Sequence, residues 1–146
     1  MIKTQIEISI NEAIKINKNS LHKYCDIIFN TYNQTKGMIT FILTSDIELS
    51  KLKFEFFGDD SFTDVIAFNL EEINEPIEGE IYISWDRIID NSKTYNNSIS
   101  DELDRVVIHG ILHLLGFNDK TKKDKIKMTD LENKFLDIFS NSILEL

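Results

Sequence analysis

The sequence predicts an α+β fold, an α/β layered arrangement in which a small mixed four-stranded sheet is packed with about five helices. Three observations carry this. Apolar residues change period along the chain, from alternation to the 3.6-residue spacing of amphipathic helices and back. Residues 106–115 are apolar nearly all round except for two histidines, so that helix belongs inside the protein. The chain has 146 residues, 42% of them hydrophobic, enough to bury about 70% of the surface it would expose when unfolded. No repeat, linker or low-complexity run divides it, and residues 1–146 read as one domain.

Residues 4–10 alternate polar and apolar and form the first strand. From about Ser20 to Tyr32, the residues Leu21, Tyr24, Cys25, Ile28 and Phe29 repeat at helical spacing, with Asn19 or Ser20 as cap. His22 falls off that stripe and reads as a surface histidine. Residues 36–44 are β-branched and aromatic, the composition of a strand buried on both faces. Ser45 or Asp46 caps a short helix through about Phe56, which ends at the turn cluster of residues 58–61. Residues 62–68 and 79–84 are strands close enough in sequence to pair antiparallel, separated by an acidic loop with the only proline, Pro76. A modest helix follows from Trp85 to about Tyr95. Ser100 caps the next helix, with Asp101 and Glu102 in its first turn, where the dipole favours negative charge. Thr121 begins the last helix, whose apolar face is Met128, Leu131, Phe135, Ile138 and Phe139.

The stretch with chemistry in it is His109-Gly-Ile-Leu-His-Leu-Leu-Gly-Phe-Asn-Asp119. Histidines four apart share a helical face, with Cβ atoms roughly 6 Å apart, so both rings can reach one ion. Gly116 ends the helix and turns the chain back, and Asp119 can then return a carboxylate oxygen to the same point. Three side-chain ligands around Zn²⁺ leave a fourth position for water, the arrangement of a catalytic zinc site. The competing readings are two core histidines satisfied by backbone groups, and for Asp119 a turn carboxylate or a cap for the next helix.

The single Cys25 excludes an internal disulfide, and no basic-plus-apolar leader or 18-residue apolar run is present, so the chain reads as cytoplasmic, with no membrane partner. A net charge of −9 argues against holding nucleic acid by bulk attraction, and no DNA partner is expected. The local exception is a lysine run immediately after Asp119. It includes Lys120, Lys122 and Lys123 and reads either as a solvated helix face or as a phosphate contact beside the metal.

In zinc peptidases of the H-E-x-x-H type the residue after the first histidine is the glutamate that takes a proton from the water. Here it is Gly110. The helix is metzincin-like in its ligands but lacks the base, and the glycine is expected to leave room for a substrate group near the metal. Phosphodiester cleavage then fits better than peptide hydrolysis, because the metal itself acidifies its water and neutralises phosphate charge.

These residues resemble a known family. His109-Gly-Ile-Leu-His-Leu-Leu-Gly-Phe117 is similar to the H-G-x-L-H-L-x-G-Y signature of the YbeY endoribonucleases, bacterial rRNA maturation factors. Thr63-Asp-Val-Ile-Ala-Phe68 resembles the family's T-D-V-L-S-F block and Gly79-Glu-Ile-Tyr-Ile-Ser84 its G-D-I-x-I-S block, in the same order and at similar spacing. The resemblance implies a single-strand-specific, zinc-dependent endoribonuclease acting in 16S rRNA 3′-end maturation and ribosome quality control. Its partners would be rRNA precursor and 30S ribosomal proteins. Metal ligands would be His109, His113 and Asp119, with their bound water as the catalytic group, and Thr63, Asp64, Ser84, Lys120, Lys122 and Lys123 are assigned to substrate. For Thr63, Asp64 and Ser84 the alternative is a purely structural role in strand and turn.

Two departures from the family stand out. Its usual third ligand is histidine, where this chain has Asp119, which makes bound water less acidic and favours harder ions. An arginine often found before the T-D block is matched by Phe57, so that role is empty or taken by Lys51 or Lys53. The alternatives are a ribosome-assembly factor with a mainly structural metal, favoured by the missing arginine, and a metzincin-like peptidase.

Overall fold

The central β3 (Gly37–Thr44) is flanked by β1 (Ile2–Ile8) and β5 (Ile77–Ser84), both parallel to it, and β4 (Val65–Asn69) closes the sheet antiparallel to β5. This computed structural model describes residues 1–71, 75–139 and 142–145. The strand order β1-β3-β5-β4 makes the mixed four-stranded sheet predicted from sequence. Ile39, Phe41 and Leu43 of β3 are fully buried on one side and Ile42 is buried on the other, as its continuous apolar run requires.

Five helices complete the layers: α1 (Lys18–Thr31), α2 (Asp46–Phe57), α3 (Trp85–Thr94), α4 (Ile99–Leu114) and α5 (Lys122–Ile138). Their starts follow side-chain caps. Ser45 accepts from the Glu48 N–H at 3.2 Å, and Gly58, at φ 71°, ends α2 in the left-handed conformation that suits glycine. Thr121 and Asp124 form a reciprocal capping box at the start of α5, as the predicted boundary at Thr121 implies. His22 lies half-exposed on α1, 3.9 Å from Asp26, off the apolar stripe as expected.

Several boundaries shift. β1 runs from Ile2 to Ile8 instead of 4–10, because parallel pairing with β3 begins at Ile2 opposite Gly37. Asn17, not Asn19 or Ser20, caps α1 by accepting from the Ser20 N–H. Ser98, not Ser100, caps α4 by accepting from the Asp101 N–H at 3.0 Å; the Ser100 hydroxyl instead meets Ser142. β4 starts at Val65, leaving Phe62 exposed ahead of it, and β5 starts at Ile77, two residues before Gly79. Of the acidic loop predicted between them, residues 72–74 lie outside the described residues. A two-residue pairing of β2 (Lys15–Ile16) with β6 (Leu144–Glu145) has no sequence counterpart, since two residues carry no period.

α4 is the buried helix, and it lies close on the sheet because two glycines let it. A Cβ on Gly79 of β5 would stand 2.7 Å from Leu114 Cδ1, and one on Gly110 would stand 2.8 Å from Ile81 Cγ2 and 3.3 Å from Val65 Cγ2. This corrects the expectation that Gly110 leaves room for substrate: it faces the sheet, away from any open space. Near the other end of α4, buried Asp104 accepts from the Ile143 N–H at 3.1 Å and ties β6 to the helix. Burial pushes its pKa up to about 6, against the backbone N–H of Ile143 and the Tyr24 hydroxyl that favour the ionised form. Among the described residues no helix is long and apolar enough to cross a membrane.

Two tests follow from this packing. Gly110→Ala should destabilise the fold by about 1–3 kcal/mol through overpacking, despite a helix-propensity gain of about 1 kcal/mol, read by urea denaturation. Asp104 has a folded pKa above its unfolded value, so its contribution is complete below pH ~4 and lost as pH rises through about 6. Asp104→Asn should therefore gain on the wild type between pH 4 and pH 7, by on the order of 2 kcal/mol. Parallel stability curves over that range would refute this.

Candidate metal centre

The centre is built where α4 stops. Helical repeat puts Arg105, His109 and His113 in one row along α4, and the first two line a cleft of about 620 Å³ together with residues of α5. After Leu114 the chain makes a Schellman turn. The Gly116 N–H donates to the His113 carbonyl at 3.0 Å and the Phe117 N–H to the Leu112 carbonyl at 3.1 Å, with Gly116 at φ 99°. Phe117 then packs edge-on to Tyr32, with ring centroids 5.1 Å apart. With the turn anchored on one side and the α5 capping box on the other, Asp119 is aimed back at the histidines.

His109 Nε2 and His113 Nε2 are 2.9 Å apart, and the Asp119 oxygens lie 3.5 Å from the first and 3.8 Å from the second. Ligand atoms about 2.0–2.1 Å from a tetrahedral zinc ion lie about 3.3 Å from one another, so the three observed separations bracket that edge. All three groups keep partial access to solvent.

Glu132 of α5 completes the arrangement. Only 6% exposed, it meets His109 Nδ1 at 2.6 Å through one oxygen and accepts from Arg105 at 2.9 Å through the other. A neutral His109 donating from Nδ1 to this carboxylate turns an Nε2 lone pair toward His113 and Asp119, the orientation a metal ligand needs. Burial opposes protonation of His109, but the hydrogen bond and charge of Glu132, with Asp64 and Asp119, outweigh it and raise its pKa. Burial and the charge of His109 lower that of His113. The two facing nitrogens thus accommodate one proton or one cation between them. Two nitrogens and a carboxylate oxygen, with a buried carboxylate behind the first ring, are a donor set that fits a divalent zinc ion.

The residues assigned to substrate separate. Asp64 lines the cleft, where the Asn91 side-chain amide donates to it at 3.4 Å; burial raises its pKa, with the charge on His109 opposing. Thr63 does not line it; its hydroxyl is turned to the Val65 carbonyl, 3.5 Å away. Ser84 is fully buried, donating to Asp46 at 2.7 Å and accepting from the Arg87 N–H at 3.2 Å, so it caps α3 and cannot touch a substrate. Lys120, Lys122 and Lys123 are exposed outside the cleft; of the same run it is Lys125 that lines the wall. Phe57 is exposed and stacks on Phe68, Lys51 pairs with Glu48, and Lys53 donates to Ser61 at 2.9 Å, leaving neither lysine in the cleft.

Sequence reasoning missed Glu132, Arg105 and Glu102. Glu132 was visible as a carboxylate on the apolar face of α5, between Met128 and Phe135. Arg105 was visible as the residue one turn before His109. For Glu102, burial lowers access to solvent and raises the pKa, which an Asn97 hydrogen bond opposes.

A family profile described as Endoribonuclease YbeY matches residues 3–140. The chain is 32% identical over 131 residues to the protein named Endoribonuclease YbeY from Christiangramia forsetii, covering 90% of this chain and 91% of that one. The protein of the same name from Amoebophilus asiaticus is 42% identical over 108 residues, covering 74% and 72%. The solution structure of TM1509 from Thermotoga maritima superposes with a TM-score of 0.61 at 29% identity, covering 94% of this chain and 87% of that one.

Glu132→Gln should weaken zinc binding by about 10–100-fold although no ligand is lost, as read by competition with a chromophoric chelator. Because zinc must displace a proton from rings that include the raised His109, apparent affinity should fall as pH drops from 8 to 6. Unchanged affinity in the variant would show that Glu132 does not hold the ring for a metal.

Proposed function

This chain belongs to the YbeY endoribonuclease family, and on that premise we propose that it is a single-domain, zinc-dependent endoribonuclease of 146 residues. It cleaves single-stranded RNA in the cytoplasm, in 16S rRNA 3′-end maturation and ribosome quality control, with 30S ribosomal proteins as further partners. The observation that carries the reading is the convergence of His109, His113 and Asp119 within 4.8 Å beside a cleft that also presents Arg105 and Lys125. His109, His113 and Asp119 would hold one zinc ion per chain, which when bound would supply Lewis acidity toward phosphate and acidify water.

The protein's own groups do the rest. Glu132 holds His109 in the tautomer that presents Nε2, and shares its second oxygen with Arg105. Arg105 brings its planar, forked donors to the cleft, suited to an oxyanion of the RNA backbone, and Lys125 lines the same cleft. Asp119 brings a negative charge to the metal, which makes this site more tolerant of hard ions such as Mn²⁺ than one with three histidines. Gly110, buried against Ile81, offers no base, which disfavours a peptidase. An assembly factor with a structural metal drew its support from the missing arginine; Arg105, reaching the cleft from α4, removes that support.

The test is cleavage of a single-stranded RNA by zinc-loaded protein. His113→Ala and chelator treatment should each lower the rate by at least about 100-fold, and equal cleavage in all three samples would point to a contaminant. Lys125→Ala should raise KM severalfold and flatten its salt dependence, whereas Lys122→Ala should change little.

A further inference from the structure

The lining of the same cleft also includes three amides, Asn91, Asn97 and Asn133, and one aromatic ring, Tyr95. Glu102, on α4 two turns before His109, is only 3% exposed, yet it lines the cleft and its Oε2 has no hydrogen-bond partner among the described residues. Its carboxylate takes one hydrogen bond from the Asn97 side chain. Tyr95 is 64% exposed. An ionised carboxylate only accepts, and a buried acceptor left without a donor is costly. The residue that carries this unfilled, solvent-sealed oxygen lines a space that a ligand can enter.

On the endoribonuclease reading, the ligand is RNA. A carboxylate repels the phosphates, which Arg105 and Lys125 serve, so the donor that reaches Glu102 comes from the non-ionic part of a nucleotide. We propose that the part of the cleft lined by Glu102 and Tyr95 is a nucleobase pocket. A base stacks on Tyr95 and presents an exocyclic amino N–H to Glu102 Oε2. Carboxylates accept from the N4 amino group of cytosine, and unstacked bases of single-stranded RNA are read on such edges while resting on aromatic rings. Uracil puts a carbonyl where cytosine has the amino group, and two acceptors then face each other. The pocket therefore selects cytosine over uracil. The ribose 2′-hydroxyl is the non-ionic donor an RNA offers outside its bases, and the experiment separates it from a base contact.

The zinc-loaded full chain is titrated into fluorescein-labelled hexacytidylate, hexauridylate and hexadeoxycytidylate at one salt concentration and low temperature. Binding is read by anisotropy and cleavage of the same oligomers on a gel. Wild type should bind hexacytidylate at least about fivefold more tightly than hexauridylate. Glu102→Gln, nearly isosteric and able to donate to the uracil carbonyl, should bring that ratio to within about twofold of unity. Tyr95→Ala should weaken both RNAs alike and leave the ratio in place. Equal binding of both RNAs by wild type, a comparison that needs no variant, overturns the pocket, as does a ratio unchanged in a folded Glu102→Gln protein. If Glu102→Gln abolishes only the preference for hexacytidylate over hexadeoxycytidylate, the contact is to ribose and the base assignment is wrong. RNA cleavage without base preference sinks this inference alone, whereas absence of both binding and cleavage sinks the endoribonuclease reading with it.

Discussion

Two imidazole nitrogens held 2.9 Å apart are the constraint on which the site depends. Two lone pairs that close repel, and two protonated rings repel more, so the contact calls for one proton or one cation between the two nitrogens. Glu132 sets which nitrogen of His109 takes part, and Asp119 adds the negative charge that makes a cation the better occupant. The ring geometry is thus determined by α5 as much as by the helix that carries the histidines. Since Glu132 is also clamped to Arg105, the Arg105 guanidinium and the His109 ring share one buried carboxylate.

That arrangement requires α4 to be rigid and close to the sheet. The helix is buried along most of its length, and Gly79 and Gly110 remove the Cβ atoms that would lift it off β5. The Schellman turn at Gly116 and the capping box at Thr121 then fix the connection to α5 from both ends, which keeps Asp119 within reach of the rings although its side chain is 43% exposed.

The charge distribution fits the same account. A chain of net charge −9 does not attract RNA as a whole. Arg105 and Lys125 line the cleft together with the carboxylates Asp64, Glu102, Asp119 and Glu132. Any attraction for an anionic ligand is therefore local to these two cations.

The sequence alone determined whatever depends on neighbours along the chain. Helical repeat places His109 and His113 on one face, a glycine in the left-handed conformation turns the chain back to Asp119, and side-chain caps start α2 and α5. Strand and helix periods were equally legible, so the mixed sheet and five helices could be read in advance. Tertiary packing decided which face meets which neighbour. It turned Gly110 to the sheet instead of the substrate, joined the Ser84 hydroxyl to Asp46, brought Lys125 to the cleft in place of Lys120, Lys122 and Lys123, and set Glu132 behind His109. Those outcomes join residues twenty or more positions apart, or choose between faces of one helix. Local spacing cannot encode them, because the same periodic pattern is satisfied by several packings and only the contacts across elements select one.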